Sequence, residues 1–189
     1  MYAKLLRDSR TFSAMRRMDQ DLAEQVHEGP CPYCGKALHW RLYPRKPRGP
    51  RGIEITYDRR FSLCCGACRR SVTPPSVMFM GRKVYVGSWI LLLAAMVHGL
   101  SAERVALLRR RFGISKRTLE RWRTWWLAIF KKSPFWKRMR ASFMPPVSES
   151  QLPRCLLARF GGSCRRRMER VLVFLRPITT TSCAAALSS

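Results

Sequence analysis

Acidic residues are scarce in this chain. Asp and Glu number 11 among 189 residues, against 37 Lys and Arg, which gives a formal net charge of +26 and a pI near 11.3. Histidine is scarcer still, at 3. The shortage bears first on catalysis. No Ser-His-Asp set, Cys-His pair or phosphate-cradling loop is present, and Asp19 and Asp21, close to Asp8 in sequence, point to different sides of a helix. The expectation is a protein that is not an enzyme. A long apolar run is also missing. The most apolar stretch, residues 84–100, is interrupted by Gly87, Ser88, His98 and Gly99. It falls short of the roughly 20 residues that span a bilayer, so it reads as a buried core helix, with no membrane as partner. Residues 1–21 are amphipathic and mixed in charge, without the apolar centre of a secretory signal. A cytoplasmic, reducing location is therefore expected, where closely paired cysteines favour metal over disulfides. There is no internal repeat.

The positive charge is unevenly spread. Residues 1–28 carry 5 basic and 5 acidic groups, residues 29–83 carry 12 against 2, residues 84–140 carry 13 against 2, and residues 141–189 carry 7 against 2. The field thus arises mainly in the two middle segments. A field of this sign attracts polyanions, nucleic acid first and anionic membrane second.

The middle segments also hold the cysteine motifs. Cys31-Pro-Tyr-Cys34-Gly35 and Cys65-Gly-Ala-Cys68 are two CxxC turns of the kind that supplies two thiolates each to a tetrahedral Zn2+. Gly35 permits the left-handed backbone such a turn often needs. A closed set of Cys31, Cys34, Cys65 and Cys68 describes a structural zinc with no open position for a substrate. Cys64 lies beside Cys65 and is an alternative ligand, and His39 could take the place of a cysteine. Cys155, Cys164 and Cys183 lack pair spacing.

Around these motifs the chain is expected to be α+β and mainly α. Residues 1–28 read as a helix, suited to docking or to forming a homodimer, ended by Gly29-Pro30. A small zinc ribbon follows over residues 29–76. Its strands are expected where Leu38, Trp40 and Leu42 alternate with His39, Arg41 and Tyr43, and where Ile53, Ile55 and Tyr57 alternate with Glu54, Thr56 and Asp58. The intervening residues 44–52 are all Pro, Gly, Lys or Arg. They read as a loop, either a solvated hairpin tip or an arm along a phosphate backbone or minor groove. A three-helix domain is expected over residues 84–132. The basic region 133–189 is expected to be partly disordered, with a helix over 154–176 interrupted at Gly161-Gly162 and a disordered tail from Thr179.

The three-helix segment has the pattern of a helix-turn-helix. Ser101 can cap the second helix, whose Val105, Leu108 and Phe112 form one stripe. Gly113-Ile114-Ser115 make the turn, with Ile114 as its apolar plug and Ser115 as the next cap. The last helix turns Leu119, Trp122, Trp126 and Ile129 inward. Lys116, Arg117, Glu120, Arg121, Arg123 and Thr124 face outward. Arg117, Arg121 and Thr124 share one face at i, i+4 and i+7 and are expected to reach into a DNA groove, with Ser115, Lys116 and Arg123 among the flanking contacts. Trp89, Leu92, Leu93 and Met96 of the first helix supply the core, and Trp122, Trp125 and Trp126 belong to it too.

Together these motifs resemble the N-terminal DNA-binding part of some insertion-sequence transposases. The resemblance rests on Cys31-Pro-Tyr-Cys34-Gly35, Cys65-Gly-Ala-Cys68-Arg69 and Phe112-Gly-Ile-Ser-Lys-Arg-Thr-Leu-Glu-Arg-Trp122, and covers residues 29–130. It implies a zinc ribbon joined to a helix-turn-helix, with DNA as partner. Such transposases carry three carboxylates that hold two metal ions. Beyond residue 103 this chain has only Glu120, Glu149 and Glu169. The family's chemistry is therefore not carried over. The resemblance implies a mobile-element accessory protein, paired with a separate transposase or integrase, or a truncated transposase. A transcriptional regulator and a nonspecific RNA-binding zinc-ribbon protein are the alternatives.

Overall fold

The computed structural model describes residues 2–50, 52–80, 85–97 and 101–180, leaving aside the side chains of Tyr2, Glu54, Ile55, Val97 and Arg104. It is α+β and mainly helical, with one small sheet and a cluster of four cysteines. Two compact units are present, one built from Ala3–Gly87 with the chain after Val171, the other from Ser88–Val171.

In the first unit the N-terminal helix divides in two, α1 (Tyr2–Leu5) and α2 (Ser9–Glu28). The break has a local cause. The Asp8 carboxylate accepts from the Arg10 N–H at 3.1 Å and the Thr11 hydroxyl at 2.8 Å, capping α2 and starting a new helix. Thr11, Phe12, Met15, Asp19 and Ala23 form the buried stripe of α2. Three strands follow: β1 (Leu38–Pro44), β2 (Arg59–Cys65) and β3 (Ser71–Val72), antiparallel in the order β1-β2-β3. The register pairs Leu38 with Cys65, Trp40 with Leu63, and Leu63 with Val72.

Two expectations fail here. Residues 53–58 are not a strand. Ile53–Thr56 form a single helical turn, α3, entered through the left-handed Gly52 and closed by the Tyr57 N–H donating to the Ile53 carbonyl at 2.9 Å. The turn buries Ile53 against Gly49, where even an added Cβ would meet Ile53 at 3.1 Å and Val86 at 3.2 Å. The strand that pairs with β1 lies further on, at residues 59–65. Nor is β1 half-buried, since only Leu38 is covered and the next six residues are exposed.

The second unit contains α4 (Gly87–Val97, from Ser88), α5 (Ala102–Phe112), α6 (Lys116–Thr124), α7 (Pro134–Met139), α8 (Arg154–Arg159) and α9 (Cys164–Leu175, up to Val171). Residues 89–95 of α4 are buried on every side, as an all-apolar helix must be. No helix among the described residues is long and apolar enough to cross a membrane. Past α6 the helix widens into a π-turn over Trp125–Ile129. The extra residue per turn shifts the facing of the chain. Trp126 and Phe130 become buried, and Ile129, expected inside, is 58% exposed. Trp126, Phe130 and Trp136 then form an aromatic core with ring centroids 4.9 and 5.2 Å apart. The Trp136 indole donates to Glu149 at 2.8 Å.

Residues 154–176 form α8 and α9 on either side of Gly161-Gly162, as expected. The closing residues depart from expectation at one point: Thr179 and Thr180, placed in a disordered tail, are buried and ordered in the first unit. The rest of that expected tail, with Cys183, and Gly99 and Leu100 of the expected inter-helix segment lie outside the described residues.

Candidate metal centre and exposed basic helix

Cys31, Cys34, Cys65 and Cys68 come together, their Sγ atoms all within 4.8 Å of one another. The Cys31–Cys68 and Cys34–Cys65 separations are 3.7 and 3.4 Å. A tetrahedron with metal–sulfur arms of about 2.3 Å has edges of about 3.8 Å, so the four thiols fit one tetrahedral ion with little adjustment.

Two equivalent turns create this geometry. In the first, the Cys31 N–H donates to the Lys36 carbonyl at 2.8 Å and the Gly35 N–H to the Cys31 carbonyl at 2.9 Å. In the second, the Cys65 N–H donates to the Arg70 carbonyl and the Arg69 N–H to the Cys65 carbonyl, both at 3.0 Å. The fifth residue of each turn is left-handed: Gly35 at φ +71° and Arg69 at φ +58°. Arg69 is the one non-glycine residue with positive φ among those described. An L side chain is disfavoured there. Arg69→Gly is accordingly expected to stabilise the metal-loaded protein by up to about 1 kcal/mol, and Gly35→Ala to destabilise it by a similar amount. Urea unfolding of the two variants, each metal-saturated, measures this, and equal midpoints for parent and both variants would contradict the assignment.

The choice between Cys64 and Cys65 follows from strand alternation. Cys65 shares its face with Leu38 and Leu63 and enters the cluster. Cys64 points the other way, its thiol directed at the Cys65 and Arg69 carbonyls at 3.8 and 3.7 Å. His39 is paired with Cys64 and stands beside Gly66, where an added Cβ would meet its Nε2 at 3.0 Å. It is not part of the cluster.

The cluster's electrostatics also suit a cation. The Cys68 N–H, aimed at the Cys65 sulfur from 3.5 Å, draws that thiol down to about 6. The Arg70 N–H would lower Cys68 in the same way, but burial and the neighbouring thiols of Cys34, Cys65 and Cys31 push it up to about 12. Thiols packed this closely cannot all ionise unless a positive ion sits among them.

The core supporting the cluster is thin. Its buried members are Cys31, Leu38, Leu63, Cys65 and Val72, with Val26 and Cys68 at the margin. Two of the five buried members are themselves candidate ligands.

In the second unit the structure brings the expected DNA-contact residues onto one exposed helix. Ser115 caps α6, accepting from the Thr118 N–H at 3.2 Å, and Gly113 takes φ +63° in the turn before it, with Ile114 buried beneath. Thr118, Leu119 and Trp122 are buried, whereas Ser115, Lys116, Arg117, Arg121, Arg123 and Thr124 are all exposed. Arg117, Arg121 and Thr124 share the centre of the outer face. Lys116 lies to one side, 3.8 Å from Glu120, and Arg123 lies next to that pair on the helical wheel. Phe112 of α5 packs edge-on against Trp89 of α4 with centroids 5.6 Å apart.

One buried site was missed by the sequence reading. Asp19, 2% exposed, accepts hydrogen bonds from the Ser76 hydroxyl and from the N–H groups of Val77 and Met78 at 2.6 and 3.4 Å. Ser76 in turn accepts from the Phe79 N–H at 2.8 Å, and its own N–H donates to the Thr179 hydroxyl at 3.0 Å. Arg60, also buried, donates to the carbonyls of Pro74 and Thr179 at 3.2 and 3.1 Å. The network ties α2, the segment after β3 and the turn at Thr179 together. A signal existed: Asp19 lies at i+7 from Phe12 and i+4 from Met15, inside the apolar stripe. A carboxylate in a core stripe implies buried donors facing it.

Compared with protein-family profiles, curated proteins and solved structures, the chain matches none.

Proposed function

We propose that this is a zinc-containing DNA-binding protein in which a four-cysteine zinc ribbon accompanies a helix-turn-helix, and which has no catalytic core of its own. The observation that carries the reading is α6: a helix capped by Ser115, entered through the left-handed Gly113, buried on one side and exposing Arg117, Arg121 and Thr124 on the other. A recognition helix needs these features, because its outer residues must reach base edges while its inner face fixes its angle on the duplex. Arg117 and Arg121 suit guanine edges, and Ser115 and Lys116 at the helix start suit phosphates. The net charge of +26 supplies the salt-sensitive attraction to the backbone.

Cys31, Cys34, Cys65 and Cys68 would hold the zinc, four thiolates being a set that also suits iron–sulfur chemistry. The ion closes the two turns on each other and supplies folding energy rather than reactivity. The acids beyond residue 103 support the non-catalytic reading. Glu120 pairs with Lys116, Glu149 with Trp136 and Arg140, and Glu169 with Arg165, each within its own local structure. A transposase-related or mobile-element accessory protein, acting beside a separate transposase or integrase, is the setting this combination fits.

The test is selection from a random duplex pool by zinc-loaded protein, with the Arg117→Ala, Arg121→Ala double variant as control. An enriched motif lost in the control is expected, with the discrimination falling by about 1–3 kcal/mol for each arginine. Binding that follows salt alone, with no motif, would leave a nonspecific polyanion binder and favour RNA.

A further inference from the structure

The sheet of the first unit has an edge that the α6 reading does not use. Among the described residues β1 is an outer strand, paired on one side only, and six consecutive residues of it are exposed. Trp40 is 45% exposed, Leu42 43% and Tyr43 55%. Three large apolar or aromatic side chains open to water within four residues is an arrangement that a monomeric protein rarely keeps without a partner.

Charge indicates which partner. From Gly29 to Ile53 there is no acidic residue, and Arg41, Arg45, Lys46 and Arg48 lie on or just beyond the strand. Residues 59–80, also free of acids, supply β2, β3 and Arg59, Arg69 and Arg70. A second copy pairing edge to edge would bring these like charges together, which opposes self-association. A polyanion is favoured by the same charges. Exposed rings contribute to binding only where base faces are open to stack on them, and in a duplex those faces are covered by neighbouring bases.

Trp40 is also held in place. Trp40 stacks on His27 of α2 with centroids 4.9 Å apart and planes inclined by 17°, and its edge meets Phe61 at 6.0 Å. The Arg16 guanidinium lies 4.0 Å above the Phe61 ring and donates to the Arg59 carbonyl at 2.8 Å, fixing the other end of the row. A ring fixed in this way loses little freedom when a base covers it.

We infer that the β1 edge is a binding surface for single-stranded nucleic acid, distinct from α6. Bases stack on Trp40 and Tyr43, on either side of the strand, and the phosphates follow Arg41, Arg45 and Lys46. The acids near this surface are Glu24 and Glu28 of α2, on the Trp40 side, and Asp58, whose carbonyl accepts from the Arg45 N–H and whose carboxylate lies 3.8 Å from Arg59, whereas Arg41 and Tyr43 point to the face opposite Trp40. Stacking on open base faces and contacts to phosphates are common to unpaired DNA and RNA, so the occupant is an unpaired strand of nucleic acid with either sugar.

The test uses full-length, zinc-loaded protein carrying Arg117→Ala and Arg121→Ala, so that its outcome is separate from that of the α6 reading. Fluorescence anisotropy with a labelled oligothymidylate is the readout. Binding is expected to persist in this background and to weaken about 5- to 100-fold on adding Tyr43→Ala or Trp40→Ala. Trp40 also packs on the protein, so zinc content and melting temperature are checked for that variant. Tyr43→Ala, more exposed and on the opposite face, keeps the test decisive if Trp40→Ala fails to fold. Unchanged binding of folded Tyr43→Ala, or tighter binding of duplex than of single strand, would each overturn the assignment.

Discussion

Cys65→Ser is expected to abolish stoichiometric metal binding, while Cys64→Ser leaves one ion per chain. The two thiols are sequence neighbours, and strand alternation alone separates their roles. Cys65 faces Leu38 and Leu63 and meets the other three sulfurs, whereas Cys64 faces away toward backbone carbonyls. The consequence for folding is large. Beneath the sheet, only Leu38, Leu63 and Val72 are buried core members that are not candidate ligands. Three side chains contribute roughly 1.5–3 kcal/mol each when fully buried, too little to order two turns and three short strands. A structural zinc with four thiolates contributes on the order of 10 kcal/mol at neutral pH. Chelation of the loaded protein should therefore unfold the sheet while the aromatic core around Trp126, Phe130 and Trp136, which belongs to the other compact unit and contains none of the four cysteines, keeps its structure. Metal analysis of the two variants, with backbone amide spectra before and after chelation, measures both effects. Metal retained by Cys65→Ser and lost by Cys64→Ser would reverse the ligand assignment. A spectrum indifferent to chelator would remove the structural role.

The second large effect concerns Asp19. Burial raises its carboxyl to about 6, against hydrogen bonds from Ser76, Val77 and Met78 and the charge of Arg60, all of which act in the opposite direction. Burial likewise lowers Arg60, to about 10, so the guanidinium is still charged at neutral pH. The folded carboxyl thus titrates above its unfolded counterpart, which lies near 3.9. Below about pH 4 both states hold the proton. Between about 4 and 6 the folded state holds more protons than the unfolded, so stability from this group falls as pH rises through 6. The loss is on the order of 3 kcal/mol. Paired surface carboxylates give the opposite slope. Asp19→Asn removes the titration. Its unfolding midpoint, with zinc saturating, should change less steeply between pH 5 and 7 than that of the parent, and parallel profiles would show that Asp19 does not titrate in this range. Asp19→Ala leaves the Val77 N–H and the Ser76 hydroxyl without their acceptor and Arg60 without its counter-charge. It is expected to cost about 2–4 kcal/mol at pH 7, measured by urea unfolding.

The candidate sites differ in how far local sequence reveals them. A CxxC turn is closed by hydrogen bonds within six residues, and α6 is defined by a cap, a glycine and a periodic stripe inside one short segment. Both can be read from neighbouring residues because the interactions that form them are between neighbours. The π-turn at Trp125–Ile129 already exceeds that range. The run Leu119, Trp122, Trp126, Ile129 is consistent with an ordinary helix, and packing among Trp126, Phe130 and Trp136 favours a phase in which Phe130 is buried instead of Ile129.

By itself the sequence determined the helical predominance, the four thiols able to converge on one ion, and the amphipathic basic helix behind its glycine turn, because each is encoded in local spacing. Tertiary structure alone decided the rest. Residues 53–58 alternate as well as any strand, yet pairing with β1 goes to residues 59–65, which place Leu63 against Trp40 and Val72 and bring Cys65 to the metal cluster. The same pairing turns Cys64 away and leaves Trp40 and Tyr43 at an open edge. Asp19 became a core residue through donors on Ser76, Val77 and Met78, far away in sequence. Register and burial are set by partners distant along the chain, and a pattern of neighbours carries no information about which partner will arrive.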